Sequence, residues 1–381
     1  MDFELTTEHR LIQQTVRDFA TREVGPVAAE LDRTSRFPRE LIARAADLGL
    51  MGVMVPEAYG GSGLDTIAYL IAIEEIASAC ASTAVVISVN NSLICDPLLR
   101  HGSEDLKRRY LPGLATGRLL GCYCLTEPQA GSDAANVQTQ ARREGDHWVL
   151  TGTKIFVTNG VEADVCIVYA RTDQEPGARG ISAFVVEKEW PGVTVGKVEK
   201  KLGIRASSTC EIVLEQCRVP ADHLLGERAR GFRVALSTLD GGRLGIAAQA
   251  VGLARAALEI SAAYAAQRHQ FGRPIAEFQA VQWMLADMAT RTDAARLLMH
   301  RAAVLRDRGR PYTKEAAMAK LFASETAMWA AHKAVQIHGG YGYIQDYPVE
   351  RFFRDAKITE IYEGTSEIQR LVIARHVLGM H

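Results

Sequence analysis

The stretch YCLTEPQAGSD, residues 123–133, marks the point at which the 381-residue sequence changes character. Before it, apolar residues recur at helical spacing, as Ile12, Val16 and Phe19 do. After it come short runs rich in β-branched and aromatic residues, separated by Gly, Asn, Asp and Pro. The stretch therefore predicts a junction between a helical domain and a β domain.

The runs that follow this junction are spaced like the strands of a β-sandwich or β-barrel. The pattern ends near Val219-Pro220. Six strands are predicted, at His147–Leu150, Lys154–Thr158, Val165–Ala170, Ile181–Val186, Val193–Val195 and Glu211–Leu214.

From Gly231 onward the sequence is alanine-rich and helical again. Long amphipathic segments at about 232–267, 277–308, 313–338 and 365–378 favour an antiparallel bundle. The order helical, β, helical contains no βαβ alternation, which excludes a Rossmann domain. We therefore predict an α+β multidomain chain. It has an all-α domain over residues 1–121, a β-barrel or β-sandwich domain over 122–226 and a four-helix bundle over 227–381.

The charge balance limits the classes of partner. With 44 basic and 45 acidic side chains the net charge is −1, whereas nucleic-acid binders usually carry a basic surplus. The acidic start, Met1 to Glu4, is followed by no apolar run and predicts no secretory signal. The uncharged stretch Ile76–Cys95 is long enough to span a bilayer, but it holds too many Ser, Thr and Asn residues. We predict one buried helix that also lines a polar space, and no membrane insertion.

Seven cysteines are scattered along the chain, and no pair of CxxC motifs or histidine cluster accompanies them. This pattern predicts buried free thiols, no metal site and a reducing compartment, which is the cytoplasm. The pair Cys122 and Cys124 has the spacing of one strand face.

Two segments carry candidate chemistry. In residues 123–133 the pair Gly131-Ser132 would let a ligand approach the backbone, although a plain domain linker has the same composition. Glu363 precedes Gly364 and a helix-capping Thr365, where a carboxylate could serve as a general base. Glutamate at a helix start is also common because it suits the helix dipole, so this alternative stays open.

Together these segments resemble the acyl-CoA dehydrogenase family, from about residue 5 to residue 379, and most closely its short-chain, butyryl-CoA-type members. The family has an all-α domain, a β-barrel and a four-helix bundle, which matches the order of elements above. The matching motifs are PEAYGGSG at 56–63, TEPQAGSD at 126–133, RHQFG at 268–272, QIHGGYG at 336–342, RFFRD at 351–355 and IYEGT at 361–365.

The resemblance implies a bound FAD. Arg268 and Gln279 would reach the FAD of a neighbouring subunit, which implies a homotetramer built as a dimer of dimers.

This chain departs from the family at a few positions. Many relatives carry Trp where this chain has Phe156, and glycine is frequent at the position of Gln129. His338 is interpreted as a structural residue. The implied cofactor residues are Tyr123, Cys124, Leu125, Thr126, Gly131, Ser132, Phe156, Val157, Thr158, Arg268, Phe271, Gln279, Gln336, Ile337, Gly339, Gly340, Thr365, Ser366 and Glu367.

The resemblance also implies where the base lies. Isovaleryl- and long-chain-type members carry the catalytic glutamate at the position of Gly242, whereas this chain has glutamate at Glu363. Glu363, with a raised pKa, would remove the α-proton of an acyl-CoA while its N–H and a flavin ribityl hydroxyl stabilise the enolate. The β-hydride would pass to flavin N5, giving a trans-2-enoyl-CoA, and the electrons to an electron-transferring flavoprotein. The implied substrate residues are Ser132, Asp240, Gly241, Gly242, Arg243 and Gly364.

Three other functions remain open at this point. A branched-chain dehydrogenase acting on isobutyryl- or 2-methylbutyryl-CoA keeps the same base position. An acyl-CoA oxidase would give its electrons to oxygen, but such enzymes are usually much longer than 381 residues. A DNA-binding flavoprotein of the same fold would need a basic extension, which this sequence lacks.

Overall fold

The amino-terminal region of the chain is a layer of short helices. A computed structural model describes residues 4–175 and 177–380, so Met1 to Phe3 of the predicted acidic start lie outside the described residues. Side chains cap several helices: Thr6 accepts a hydrogen bond from the His9 N–H, and Asp65 accepts one from the Ala68 N–H. The helices are α1 (Thr7–Phe19), α2 (Gly25–Thr34), α3 (Arg39–Asp47), α4 (Thr66–Ala79), α5 (Ala81–Ser88), α6 (Asp96–His101) and α7 (Glu104–Ala115).

The stretch Ile76–Cys95 is buried as predicted, but the prediction of one continuous helix is wrong. The chain is extended at Cys80, with φ −153°, so that α4 ends and α5 begins there, and a π-helical turn covers Val89–Cys95. The amides of Asn90 and Asn91 bond backbone groups: Asn90 donates to the Met51 carbonyl and Asn91 to the Leu50 carbonyl. These two side chains therefore tie neighbouring segments together instead of lining a polar space.

Two helical stretches are long and apolar enough to cross a membrane, Ala81–His101 and Gly231–Gln267. In their most apolar windows 94% and 67% of the residues are buried inside the protein, as in core helices of globular proteins. Length and composition alone therefore do not make either stretch a membrane span.

The middle of the chain forms an eight-stranded sheet in the order β6-β7-β3-β2-β4-β5-β8, and β1 pairs in parallel with β4. Two predicted strands, His147–Leu150 and Lys154–Thr158, are one strand with irregular register after Leu150 and after Lys154. The strands are β1 (Gly121–Cys124), β2 (Gln140–Glu144), β3 (His147–Thr158), β4 (Val165–Arg171), β5 (Ile181–Glu187), β6 (Val193–Val198), β7 (Thr209–Pro220) and β8 (Leu224–Leu225).

The sheet encloses its own apolar core, which contains Trp148 and Phe184. Cys122 and Cys124 both face this core, as their spacing predicted. The sulfur of Cys122 lies 3.2 Å from that of Cys166 on β4 and 3.7 Å from that of Cys124. All seven cysteines are free and buried, as predicted.

The carboxyl-terminal region contains a helix that the sequence analysis missed. It is Val349–Thr359, an amphipathic segment whose apolar residues Val349, Phe352 and Ala356 recur at helical spacing. A second core joins this region to the amino-terminal helices, and the two approach closely at Gly252, where a Cβ would lie 2.4 Å from the Glu74 carbonyl oxygen. The elements are α8 (Gly231–Gln267), β9 (His269–Gln270), β10 (Arg273–Pro274), α9 (Gln279–Asp307), α10 (Thr313–His338), α11 (Val349–Thr359) and α12 (Ser366–Val377).

The observed architecture is the predicted one, a helical layer, a β domain and a carboxyl-terminal helical domain. The domain limits 1–121, 122–226 and 227–381 stay a prediction.

Candidate active site

Glu363 lies in a tight turn between α11 and α12. Its backbone has φ 53° and that of Gly364 has φ 92°, and a glutamate rarely adopts this left-handed conformation. Thr365 caps α12 by accepting a hydrogen bond from the Ile368 N–H at 3.3 Å. Gln369 donates to the carbonyls of Glu363 and Gly364, at 3.3 and 2.9 Å, so the start of α12 holds the turn.

The carboxylate of Glu363 occupies the space next to Gly242 on α8. A Cβ built on Gly242 would lie 2.0 Å from Oε2 of Glu363 and 2.8 Å from Leu93. No side chain fits at residue 242 while the glutamate keeps this position. The sequence analysis named these two residues as alternative positions of the base, and the structure places them in contact.

Desolvation raises the pKa of Glu363 from 4.5 to about 7, while the positive charges of Lys320 and Arg243 lower it. Its Oε2 atom is buried and has no hydrogen-bond partner within the described residues. A carboxylate with a pKa near the working pH and a free oxygen can accept a proton from a ligand.

Polar side chains that the sequence analysis did not single out surround this carboxylate. Tyr362 donates a hydrogen bond to Gln249, whose amide donates to the Ala81 carbonyl at 2.8 Å. The hydroxyls of Tyr69 and Ser88 are 2.8 Å apart, and a Cβ at residue 245 would meet both at 2.4 Å. Ser88 belongs to the stretch Ile76–Cys95, whose hydroxyl residues were the sequence signal for such a polar lining.

The predicted substrate residues of α8 divide into two groups. Asp240 accepts hydrogen bonds from Arg243 and from Thr313, each at 2.6 Å, and Arg243 is buried close enough to Glu363 to affect its pKa. Gly241, in contrast, faces Arg306, whose Nη1 would lie 3.2 Å from a Cβ at that residue.

Residues 123–133 form the predicted junction, and an ion pair holds it. The Glu127 carboxylate accepts hydrogen bonds from Lys154 Nζ at 2.6 Å and from the Gln138 N–H at 2.6 Å. Both charged side chains are buried. The N–H of Ile155 donates to the Thr126 carbonyl at 2.9 Å, which joins the segment to β3.

Predicted cofactor residues in this part of the chain differ in what they expose. Cys124, Leu125 and Val157 are buried, and their side chains pack in the protein cores. Phe156 stands where β3 is irregular, with φ 55°, and its residue surface is 62% exposed. It therefore offers an aromatic ring beside the junction.

Thr365, Ser366 and Glu367 lie at the start of α12, directly after Glu363. A second set of predicted cofactor residues lies where α8 and α10 end, within residues 268–279 and 336–340. A cavity of about 510 Å³ is lined by Arg268, Tyr264, Tyr341 and residues 337–340. No hydrogen bond or ion pair within the described residues links Arg268, Phe271, Gln279 or residues 336–340 to the junction or to Glu363. One chain therefore presents two separate groups of predicted cofactor residues.

His338 is buried beneath this cavity. Its ring stacks on Tyr264 with centroids 4.1 Å apart, and its Nδ1 lies 2.8 Å from the Ala334 carbonyl oxygen. Its Nε2 is buried without a hydrogen-bond partner in the described part of the chain, so the structural role of His338 stays a prediction.

Comparison with known proteins identifies the arrangement. The models of the amino-terminal, middle and carboxyl-terminal domains of acyl-CoA dehydrogenase match residues 6–118, 122–217 and 229–378. The chain belongs to the acyl-CoA dehydrogenase family. Among curated relatives, the short-chain specific acyl-CoA dehydrogenase of Clostridium acetobutylicum is 51% identical over 98% of this chain and 99% of its own length.

Solved structures of this family superpose closely on the chain. Butyryl-CoA dehydrogenase from Megasphaera elsdenii is 45% identical with a TM-score of 0.98, covering 99% of this chain and 100% of that one. A chain in the structure described as the electron transferring flavoprotein of Acidaminococcus fermentans is 47% identical with the same TM-score, covering 99% and 100%. The superposition extends over all three regions of the fold.

The family uses FAD, and the residues present fit this cofactor. A Cβ at Gly131, Gly339 or Gly340 would have no atom within 4 Å, so a ligand can approach the backbone at each of them. The Ser366 hydroxyl is buried without a hydrogen-bond partner in the described part of the chain. The exposed Arg268 at the cavity supplies the positive charge that a pyrophosphate requires.

Proposed function

We propose that this chain is a short-chain acyl-CoA dehydrogenase, which converts a saturated acyl-CoA to a trans-2-enoyl-CoA and gives the electrons to an electron-transferring flavoprotein. The observation that supports the reaction best is the contact between Glu363 and Gly242: a carboxylate with a raised pKa lies where only glycine leaves room. The names of the similar proteins support the substrate class and the electron acceptor.

In this proposal Glu363 removes the α-proton of the thioester through its free Oε2. Its own N–H donates to the thioester oxygen, which stabilises the negative charge that develops there. Bound FAD supplies the acceptor for the hydride that leaves the β-carbon. Proton and hydride thus leave adjacent carbons, and the double bond forms between them.

The residues that would hold the ligands are those that the family resemblance implies. The backbone of residues 123–126, with Gly131, Ser132, Phe156 and Thr158, would hold the flavin ring, and residues 365–367 would complete that site. Asp240 and Arg243 would contact the acyl-CoA, next to Gly242 and Gly364. The buried pairs Tyr362–Gln249 and Tyr69–Ser88 support a short acyl chain, because they fill space beside the carboxylate with polar groups.

We also propose a homotetramer that is a dimer of dimers. Arg268, Phe271 and Gln279 would contact the FAD of a neighbouring copy, which accounts for their separation from the junction. The residue surface of Phe271 is 92% exposed, and that of Trp283 on α9 is 65% exposed. Sedimentation should give a tetramer, and Arg268→Ala should weaken both FAD binding and assembly; a stable, FAD-replete monomer would contradict this.

The seven free, buried cysteines support a reducing compartment, and we propose the cytoplasm. Cell fractionation with an antibody against this chain tests the location. Recovery in a membrane or secreted fraction would contradict it.

The proposed reaction is tested with purified protein and saturated acyl-CoAs from C4 to C16, with isobutyryl-CoA included, by dye reduction. The protein should show flavin absorption bands and reduce the dye fastest with butyryl-CoA. A maximum with isobutyryl-CoA would make it a branched-chain enzyme, and rapid oxygen consumption without dye would make it an oxidase. Protein without flavin bands after reconstitution with FAD would refute the proposal.

A further inference from the structure

Lys320 is a fully buried lysine that the reaction described above does not use. It lies on α10 among buried alanines, with none of its surface exposed. Its Nζ donates a hydrogen bond to the Gly364 carbonyl at 2.7 Å. Within the described residues no carboxylate lies within 4 Å of this ammonium group. Burial of an unpaired charge is unfavourable by several kcal/mol, so an apolar residue would serve the helix packing better.

The Gly364 carbonyl is the point at which the turn carrying Glu363 is attached to the bundle. It accepts hydrogen bonds from two sides, from Lys320 on α10 and from Gln369 on α12. Both Glu363 and Gly364 have positive φ, and the turn has to hold the carboxylate beside Gly242. Lys320 therefore contacts the residue whose orientation sets the direction of the Glu363 side chain.

Charged and titratable groups approach Glu363 from several elements. Lys320 comes from α10 and Arg243 from α8, while the neutral phenols of Tyr69, Tyr123 and Tyr362 come from α4, β1 and the turn itself. Lys320 is further influenced by Arg243, Glu360 and Glu367. The two cations differ, because Arg243 forms a 2.6 Å ion pair with Asp240.

We propose that Lys320 is a positioning residue for the base: its hydrogen bond to Gly364 fixes the turn, and its positive charge favours the carboxylate form of Glu363. This inference rests on the proposed function of Glu363. Desolvation lowers the pKa of Lys320 from 10.5 to about 8, so the lysine is mostly charged at neutral pH. Loss of its charge raises the pKa of Glu363, because an opposite charge nearby stabilises the ionised form.

Two variants separate the two roles. Lys320→Met removes the donor and the charge, whereas Lys320→Gln keeps an N–H donor without charge. Lys333→Met is the matched control on the same helix, about 20 Å away by the helical rise, where the Lys333 ammonium lies over the Trp329 ring.

The first measurement is an infrared pH titration of the holoenzyme without substrate. The band of the protonated Glu363 carboxyl is assigned by its absence in Glu363→Gln. In both Lys320 variants the midpoint should move to higher pH, by about one pH unit, and in Lys333→Met it should stay at the wild-type value. Unchanged midpoints in both Lys320 variants would refute the electrostatic role.

The second measurement is the rate of flavin reduction by butyryl-CoA in a single turnover, as a function of pH. The acid limb should move with the infrared midpoint. Above that limb, Lys320→Met should remain about 10- to 100-fold slower than wild type, and Lys320→Gln should recover part of the rate. Wild-type rates in Lys320→Met would refute the positioning role.

Thermal unfolding completes the test. Both Lys320 variants should melt at or above the wild-type temperature, since they remove a buried charge. Marked destabilisation of both would overturn the proposal, because it would show that Lys320 serves stability. The proposed function fails separately, if Glu363→Gln reduces its flavin at the wild-type rate.

Discussion

The substitution Glu363→Gln should stabilise the folded protein at neutral pH. The wild-type carboxyl has an ordinary pKa of 4.5 in the unfolded chain and about 7 in the folded protein, because burial disfavours its charged form. Glutamine has nearly the same shape and never ionises, so it escapes the unfavourable burial of charge. A buried catalytic carboxylate therefore reduces stability in return for reactivity.

The magnitude follows from the two pKa values. At about 1.4 kcal/mol per pH unit, the difference between 4.5 and about 7 corresponds to about 3 kcal/mol. Below pH 4.5 the carboxyl is protonated in both states and the destabilisation is absent. It grows as the pH rises from 4.5 to 7, where the folded state binds more protons than the unfolded state, and it is complete above pH 7.

The assay is denaturant unfolding of wild type and Glu363→Gln at pH 4.5, 6 and 8, at one protein concentration and with saturating FAD. The variant should equal wild type at pH 4.5 and exceed it by up to about 3 kcal/mol at pH 8. A stability difference that does not change with pH, or a variant less stable than wild type at pH 8, would refute the reasoning.

Three further substitutions test the environment of the base and the junction. Gly242→Ala should fold but lose activity about 100-fold, because its Cβ displaces the Glu363 carboxylate; dye reduction measures this, and near-normal turnover would contradict it. The double variant Glu363→Gly with Gly242→Glu should be more active than Glu363→Gly alone, and its preferred acyl chain length should differ from that of wild type. A double variant that is no more active than Glu363→Gly would contradict this prediction. Lys154→Met should lower the free energy of unfolding by about 3–5 kcal/mol, because it leaves the Glu127 carboxylate buried without its ion-pair partner. The control Lys197→Met, at an exposed ion pair, should change the free energy of unfolding by less than about 1 kcal/mol. Equal effects of the two substitutions in denaturant unfolding would contradict this prediction.

The sequence was sufficient for the order of domains, and the family resemblance named the positions of Glu363 and Gly242 as the two alternatives for the base. The change of residue pattern at 123–133 marks the start of the sheet, and the family resemblance supplied the base. The contact between Glu363 and Gly242 had no sign in the sequence beyond the glycine at residue 242. That a Cβ there would meet Oε2 at 2.0 Å depends on how α8 packs against the turn.

Features decided by tertiary contacts were not predictable. Cys80 interrupts an apolar run that looks like one helix. Val349–Thr359, in contrast, was overlooked although the sequence shows it, because Val349, Phe352 and Ala356 recur at helical spacing. Lys320 lies in the alanine-rich face of α10 without any local sign of its bond to Gly364, 44 residues later. The side chains of Cys124 and Val157 face the sheet core, because alternate strand residues point to opposite faces, and the cofactor contacts expected of these two residues stay a prediction.

The most direct test of the account is stopped-flow flavin reduction by butyryl-CoA in Glu363→Gln. Glutamine keeps the size of the side chain but accepts no proton, so the rate should fall at least about 100-fold while an enoyl-CoA still binds and perturbs the flavin spectrum. The control Glu325→Gln, which removes an exposed carboxylate paired with Arg370 at 2.5 Å, should reduce its flavin like wild type. Reduction of Glu363→Gln near the wild-type rate would show that another residue takes the α-proton and would contradict the account.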